Sequence, residues 1–450
     1  MRVLLLSLVL GLLSQTANAS VVAIIDSGTD YLHNDLQNLM WNNPGELAAN
    51  NRDEDMNGFV DDVFGWNFAE NNNKVIDYKY LGTLNHDIRK FFDIQAKMIK
   101  GFATKSDLQW IKDKRKEPEF IKSLQVYGNF MHGTHVAGIA AVGNDEARIL
   151  AVKLIPTEVQ NPFPSSQNLK SGFAMTLLKM GLSKLAEQQM KLLIDIAGYV
   201  ASHGADVANG SFGTGFKQAE AIVGNLAKML LGRDPTPAES KELTSHFINT
   251  LVTKGKEMVA AAPDTLFVWA AGNDGTNNDD MPTSPANIEA VNSMTVAATV
   301  GTFELASFSN YGIERVDVAA PGVGIQSTVP GSEYLRVSGT SQAAPYVSKV
   351  AGLIKDENPD LLPRQIKKII MKTVDVKPWL ADKVRTSGIV NLRRAVAAAQ
   401  MANSMRIDDA IDEARRLVSD MATKKAGFRG QHKLAKEFVL PLPSQFKLQK

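Results

Sequence analysis

The chain has no cysteine among its 450 residues. That excludes a disulfide framework, a cysteine-ligated zinc or iron–sulfur centre, a thiol nucleophile and lipid attachment at a cysteine. Any nucleophile must be oxygen or nitrogen, and any metal must sit among oxygen or imidazole ligands. Net charge is nearly absent too: 49 Lys+Arg against 48 Asp+Glu leave a formal +1. No global field therefore draws the molecule to nucleic acid or to an acidic membrane, and no nucleic-acid partner is expected. Beyond the N-terminus no uninterrupted apolar run approaches the roughly 20 residues that cross a bilayer, so no transmembrane anchor is expected either. What is present, 44% hydrophobic and 22% charged residues, is a globular composition rather than a disordered one.

Met1-Arg2 leads into VLLLSLVLGLL and the small-residue end Ala17-Asn18-Ala19. These are the three parts of a secretory signal, residues 1–19, cleaved before Ser20. Export to a periplasm or the exterior is the expectation, and an exported chain without cysteine must draw stability from packing, metal ions or both.

Short β-branched, apolar runs recur: VVAII at 21–25, ILAVKL at 149–154, ADVANGS at 205–211, TLFVWAAG at 265–272, MTVAAT at 294–299 and VDVAAPG at 316–322. Continuous apolar runs of this length suit strands covered on both faces. Helix-compatible segments lie between them, around 170–203, 217–261 and 342–354. The alternation predicts an α/β fold, a doubly wound, mostly parallel sheet with helices on both faces. Ligands of such sheets bind beyond the carboxyl ends of the strands, so polar residues that directly follow the apolar runs are the candidates for chemistry.

Three segments look added to that plan. Residues 78–126 carry eleven Lys+Arg against six Asp+Glu and include IRKFFDIQAKMIKGF, a surface insertion of one or two helices. Residues 228–256 are helical material interrupted by RDPTPAES, where a proline at an early helical position and Glu239 in the first turn suit a new helix start. Residues 401–450 hold the charged helix pattern RIDDAIDEARRLV and then a basic tail, with seven Lys+Arg against one Glu from Lys424 onward. LPLPS near its end suggests an extended or disordered segment. Charged faces of this kind solvate a surface, or contact a cell envelope or a partner; occupancy of a cleft by the tail is a further alternative.

Four motifs could carry chemistry. Asp26 directly follows VVAII and precedes Ser27-Gly28-Thr29; alone it could simply cap a turn. His132-Gly133-Thr134-His135 opens a small-residue segment that holds an imidazole at a helix start, although the HxxH spacing also suits a metal pair. Ser341, in GTSQAAP, sits where a glycine-containing loop turns into a helix, with its hydroxyl outward and backbone N–H groups near it. Asn273 lies in the glycine-rich turn after TLFVWA, where its amide can donate to developing negative charge.

Taken together these motifs, in the order Asp, His, Asn, Ser, resemble those of the subtilisin-like serine proteases, or subtilases. The resemblance extends to HNDL at 33–36, NGSFG at 209–213, SPA at 284–286, ASFSNYG at 306–312 and GIVNLRRAVAAA at 388–399, within a peptidase domain spanning 20–400. It implies Ser341 as nucleophile, His132 as general base then acid, Asp26 as the residue that orients the imidazole, and Asn273 with the Ser341 N–H as oxyanion hole. His135 is implied to be structural. Ser211, Phe212 and Gly213, with Ala270, Ala271 and Gly272, are implied to line a cleft for protein or peptide substrates in extended form. Gln342 and Tyr346-Val347-Ser348-Lys349 depart from the family's usual Met and His-Val-Ala-Gly. Val21 starts the first strand directly after the signal, with no room for the N-terminal propeptide usual in secreted subtilases. The implied protein is an exported, monomeric serine endopeptidase; the competing class is an inactive, protease-derived binding or scaffold protein.

Asp53, Glu54, Asp55, Asp61 and Asp62 crowd into ten residues with only Arg52 as a basic neighbour. Asp53-x-Asp55-x-Asn57-Gly58 follows the opening of a calcium loop, although Phe64 stands where a bidentate Glu would complete it. Similar segments recur in bacterial subtilases, and the resemblance implies structural calcium held by Asp53, Asp55, Asn57 and Asp61 or Asp62.

Overall fold

The computed structural model describes residues 19–159, 174–422 and 428–444. The expected signal lies outside them except for its last residue. Among the described residues twelve strands form, β1 (Val21–Asp26), β2 (Gly65–Asn67), β3 (Arg148–Lys153), β4 (Val207–Gly210), β5 (Leu266–Ala270), β6 (Ser293–Val300), β7 (Glu304–Leu305), β8 (Val318–Pro321), β9 (Ile325–Val329), β10 (Glu333–Val337), β11 (Asp375–Val376) and β12 (Gly388–Ile389). Ten of them make one sheet in the order β11-β12-β8-β6-β5-β4-β1-β3-β2, with β7 on β6. Each of the six apolar runs is one of its strands.

Pairing is parallel from β2 through to β12 and antiparallel only at the β11 and β7 margins. The sheet is sandwiched, and β1 shows how. Val22 and Ile24 enter one apolar cluster, whereas Ala23 and Ile25 enter the other. The first cluster is covered by α1 (His86–Lys100), α2 (Lys105–Lys114), α3 (Pro118–Ala141), α7 (Thr340–Glu357), α8 (Pro363–Lys372), α9 (Leu392–Met401) and α10 (Ile407–Leu417). The second is covered by α4 (Ala174–Ser202), α5 (Phe216–Leu231) and α6 (Pro237–Ala260). β1 lies between β3 and β4, where the strand order reverses; its carboxyl end therefore opens into the crevice of a topological switch point. Asp26 is at that end.

The added segments fold as helices, with altered boundaries. The 78–126 insertion becomes α1, α2 and the first part of α3, so it runs without a break into the helix carrying His132. His132 accordingly sits in the middle of α3, not at a helix start. α6 begins as its sequence demands: Thr236 and Glu239 close a reciprocal capping box around Pro237, satisfying donors that a helix start leaves free. The C-terminal segment is not a separate appendage. Ile411, Ala414, Ala435 and Phe438 belong to the same apolar cluster as β1 and α3. No helix among the described residues is long and apolar enough to cross a membrane.

One core residue breaks the rule that buried charge is paired. Lys153 closes β3 fully buried, its ammonium makes no hydrogen bond, and the nearest carboxylate oxygen, on Glu70, is 3.9 Å away. Burial pushes its pKa down from 10.5. The unfolded chain thus holds the proton more tightly, and the cost of Lys153 is present at neutral pH and fades as pH rises toward 10.5. Lys153→Met should raise stability by about 1–2 kcal/mol at pH 7. Urea unfolding should show that gain shrinking as pH rises toward 10.5, the ordinary lysine value from which burial lowers it.

Candidate active site

Asp26 is fully buried. Its Oδ1 accepts from the Ser27 N–H (2.7 Å) and pairs with His132 Nδ1 (2.7 Å), whereas Oδ2 has no hydrogen-bond partner. A buried carboxylate with so few donors holds its imidazole firmly, because losing that bond would strand a charge in the core. Backbone proximity makes the reach possible. A Cβ on Gly133 would come within 2.3 Å of Gly28 O, and Gly28 itself has φ +119° and would drive a Cβ to 2.4 Å from Val75 O. Neither position tolerates a side chain. Ser27 Oγ accepts from the Gly133 N–H (3.1 Å) and ties the two loops together.

α7 packs against α3 and brings Ser341 to the same crevice, nearly buried at its first turn. Its Oγ donates to Ser211 O (3.1 Å), and Ser211 Oγ donates to Ser341 O (3.1 Å). No hydrogen bond joins Ser341 to His132 in this rotamer. Asn273 is fixed by a residue the motif reading did not single out: Thr340 donates to Asn273 Oδ1 through both its N–H (2.9 Å) and its hydroxyl (2.8 Å). With Oδ1 so occupied, Nδ2 faces the crevice and donates to Leu440 O (3.0 Å). Asn310 shapes the loop beyond, its Oδ1 accepting from the Asp274 and Thr276 N–H groups. The signal for Thr340 was its hydroxyl beside the candidate nucleophile. Asn310, 37 residues downstream of Asn273 in ASFSNYG, carried none that local pattern could expose.

The six residues expected to line a substrate cleft separate into two groups. Gly213 offers its N–H outward, to Pro443 O (3.0 Å), and Ser211 meets Ser341. The Phe212 ring instead turns into the core, edge-on to Trp269 at 6.3 Å. Ala270 and Ala271 are fully buried, and the Ala271 N–H and C=O are taken by Val296 and Asn278. Gly272 donates to Thr340 Oγ1 and accepts from Asn310. These three support Asn273 from beneath and present no free strand edge.

His132 and His135 do not converge on a metal. His135 is fully buried and its Nε2–H donates to Leu335 O (3.1 Å). Burial pushes its pKa down to about 3.

The acidic loop rearranges the expected ligand set. Glu46, Asp53 and Asp55 present oxygens within 4.8 Å of one another, and Asp55, Asp62 and His203 form a second group of that size. Asp61 is not in either: both its oxygens cap the Asn50 and Asn51 N–H groups. Asp62 is already neutralised, by His203 Nε2 at 3.3 Å and by hydrogen bonds from Tyr199 and Asn43. Burial works against the Asp62 charge, but these donors outweigh it and hold its pKa low; burial likewise opposes the His203 charge, and Asp62 overrides it, holding that pKa high. Asn57 turns its Nδ2, not its oxygen, to Asp55 and Asp62. Glu46, absent from the sequence expectation, accepts from the Glu54 and Asp61 N–H groups, and burial raises its pKa. Among the described residues the oxygen-only trio Glu46, Asp53 and Asp55 best fits a hard cation.

The family profile described as the subtilase family matches residues 17–406. The chain belongs to the subtilase family. It is 30% identical over 268 residues to subtilisin BL of Lederbergia lenta, covering 59% of this chain and 77% of that one. It is 25% identical over 380 residues to subtilisin-like protease 1 of Plasmodium falciparum, covering 84% of this chain but only 43% of the relative's length. A solved A-subunit of the AB5 toxin from E. coli aligns with TM-score 0.47 at 18% identity, over 85% of this chain and 92% of that one. The mostly parallel α/β sheet is the one expected from the alternation of apolar runs with helix-compatible segments.

The buried neutral imidazole of His135 has a pH consequence. Its pKa is about 3 when folded and ordinarily 6.5, so the unfolded chain binds the extra proton between those values and stability falls as pH drops through that window. The slope is about 1.4 kcal/mol per pH unit. His135→Gln, which keeps a donor for Leu335 O, should remove this part of the acid sensitivity when urea midpoints are compared from pH 7 to pH 4.

Proposed function

We propose that the protein is an exported serine endopeptidase that cleaves peptide bonds through Asp26, His132 and Ser341. The observation that carries this is the buried 2.7 Å Asp26–His132 pair on α3, the helix against which Ser341-bearing α7 packs, with the Asn273 Oδ1 held by Thr340 so that Nδ2 is left as the donor. A scaffold protein has no physical need for an under-satisfied buried carboxylate and an oriented amide in one site.

In this mechanism Ser341 Oγ turns from Ser211 O toward His132 Nε2, gives up its proton there and attacks the substrate carbonyl. Hydrogen bonds of this kind are commonly slack without substrate and tighten when it binds. Asp26 keeps Nδ1 protonated and stabilises the imidazolium. Asn273 Nδ2 and the Ser341 N–H receive the oxyanion. His132 then protonates the leaving amine, and water hydrolyses the acyl-enzyme by the same steps in reverse. Gly213 N–H would hold the substrate backbone.

Calcium would sit with Glu46, Asp53 and Asp55, relieving the repulsion of three carboxylates and bracing the loop that leads into β2. Its contribution is to stability. The leader-like N-terminus supports export, and the charge balance supports a partner set restricted to protein and peptide substrates.

A fluorophosphonate probe should label the folded protein and fail to label Ser341→Ala; absence of labelling in the wild type would sink the peptidase assignment. Asn273→Ala should lower kcat about 100- to 1,000-fold, the range known for loss of this donor in subtilisin itself. Chelation should lower Tm and calcium should restore it, as for any ligand of the native state. In Asp55→Asn the melting temperature should no longer respond to either, and an unresponsive wild type would remove the ion from the scheme.

A further inference from the structure

The segment from Phe438 to Ser444, FVLPLPS, lies along the crevice just described. It is held through its carbonyls. Gln95 Nε2 of α1 donates to Phe438 O (2.8 Å), Asn273 Nδ2 to Leu440 O (3.0 Å), Gln218 Nε2 of α5 to Leu442 O (3.3 Å) and the Gly213 N–H to Pro443 O (3.0 Å). Phe438, Val439 and Leu442 are buried, and a Leu440 methyl carbon reaches the surface of α3 at Gly128. Two of those donors, Asn273 and Gly213, are the ones assigned above to the substrate's oxyanion and backbone. A substrate and the tail cannot both use them.

We propose that residues 438–444 are an internal competitive inhibitor, and that the α1–α2 insertion is the clamp that holds it in the cleft. The proposal rests on the peptidase assignment and adds regulation to the same site.

The clamp is built across both basic segments. Arg115, following α2, stacks over the Phe438 ring at 4.9 Å, and Arg429 of the tail stacks over Phe102, following α1, at 4.7 Å. The Arg429 and His432 N–H groups donate to Lys100 O and Met98 O at the end of α1. Gln431 bonds Leu305 O and the Ser307 N–H, and Phe428 stacks on Phe303. The tail is thereby anchored both to the end of α1 and to β7 and its neighbours, ahead of the segment that meets Asn273.

Occupancy without cleavage follows from three features. The amide after the Leu440 carbonyl is the tertiary amide to Pro441, whose nitrogen is locked in a ring and makes a poor leaving group in a site that must aim a proton at it. Pro441 and Pro443 also lack the N–H donors that an extended substrate uses to pair with a strand edge. Ser341 Oγ is turned to Ser211 O, away from attack. Proline at alternate positions predisposes the segment to extended conformations, so little entropy is lost on docking. Weak intrinsic affinity is enough, because a tethered ligand acts at an effective concentration in the millimolar range.

The test uses the full chain and the double variant Leu440→Asp/Leu442→Asp, which puts charge on the apolar contacts of the tail and leaves every catalytic group in place. With a small chromogenic peptide amide, the variant should keep kcat and show KM at least about tenfold lower than wild type, since only the open fraction binds substrate. Fluorophosphonate labelling should accelerate by a similar factor. A synthetic peptide spanning Lys436 to Ser444 should inhibit the variant competitively. Gln95→Ala, remote from the chemistry, should shift KM in the same direction if the double variant folds poorly. Docking is read without catalysis in Ser341→Ala/Leu442→Cys, where the molecule's one thiol should react far more slowly with a disulfide reagent than after unfolding in urea. Equal KM and labelling in wild type and both variants, with a freely reacting thiol, overturns the inhibitor and leaves the peptidase standing. No labelling of any folded chain overturns both.

Discussion

The Asp26 carboxylate is the constraint from which the rest of the site follows. A charge with no exposure at the end of a central strand is tolerable only if a donor reaches it, and two do, the Ser27 N–H and His132 Nδ1. Bringing the imidazole there forces α3 against the turn after β1, at a distance only glycine permits at 133, while Gly28 is required by its φ of +119° and by the approach of Val75 O. One oxygen of Asp26 stays unpaired, so the pair stores cost that the surrounding core must cover. That core is two apolar layers against a nearly all-parallel sheet. The site is therefore a debt carried by packing on both faces of β1.

Around that pair, buried polar groups are used as fixed supports rather than as ligands. Thr340 locks Asn273, Gly272 is spanned between Thr340 and Asn310, and Ser211 and Ser341 hold each other's carbonyls. Each amide or hydroxyl has one role because its neighbours have taken its other bonding capacity. Preorganisation of this kind leaves a donor such as Asn273 Nδ2 aimed at one point, which serves a developing oxyanion and equally serves a resting carbonyl. The same geometry that suits catalysis makes the site easy to block.

Much of this was legible in the residues. The six strand runs were recognisable because strands covered on both faces must be continuously apolar, and Pro237 with Glu239 marked a helix start because a start needs a substitute for missing carbonyl partners. What failed did so for tertiary reasons. His132 looked like a helix-start residue because Gly133 follows it, but that glycine is there for Gly28, and the helix had begun well upstream at Pro118. Ala270, Ala271 and Phe212 carried the motif's sequence and yet face inward, since sequence identity records a segment's place and not which of its atoms are free. Asp61 was one of two alternatives for a fourth ligand, and the Asn50 and Asn51 N–H groups take its oxygens; Glu46 was invisible because the loop closes on itself only in three dimensions. The tail was compositionally disordered-looking because its partners lie some 170 to 340 residues away, at Asn273, Gln218 and Gln95.

The near-zero net charge also acquires a structural meaning. It conceals an acidic loop and two basic segments, 78–126 and the tail, and those two basic segments touch. Like charges meeting would ordinarily hold them apart. Here the guanidinium groups of Arg115 and Arg429 are each laid over an aromatic ring of the opposite segment, and the remaining contacts are N–H to carbonyl bonds and buried Phe438, Val439 and Leu442. Cation–π stacking turns the repelling groups into adhesive ones. Forces of short range and low polarity are barely screened by salt, in contrast to surface ion pairs. A clamp of this construction is expected to hold over a wider range of ionic strength than one made of surface ion pairs.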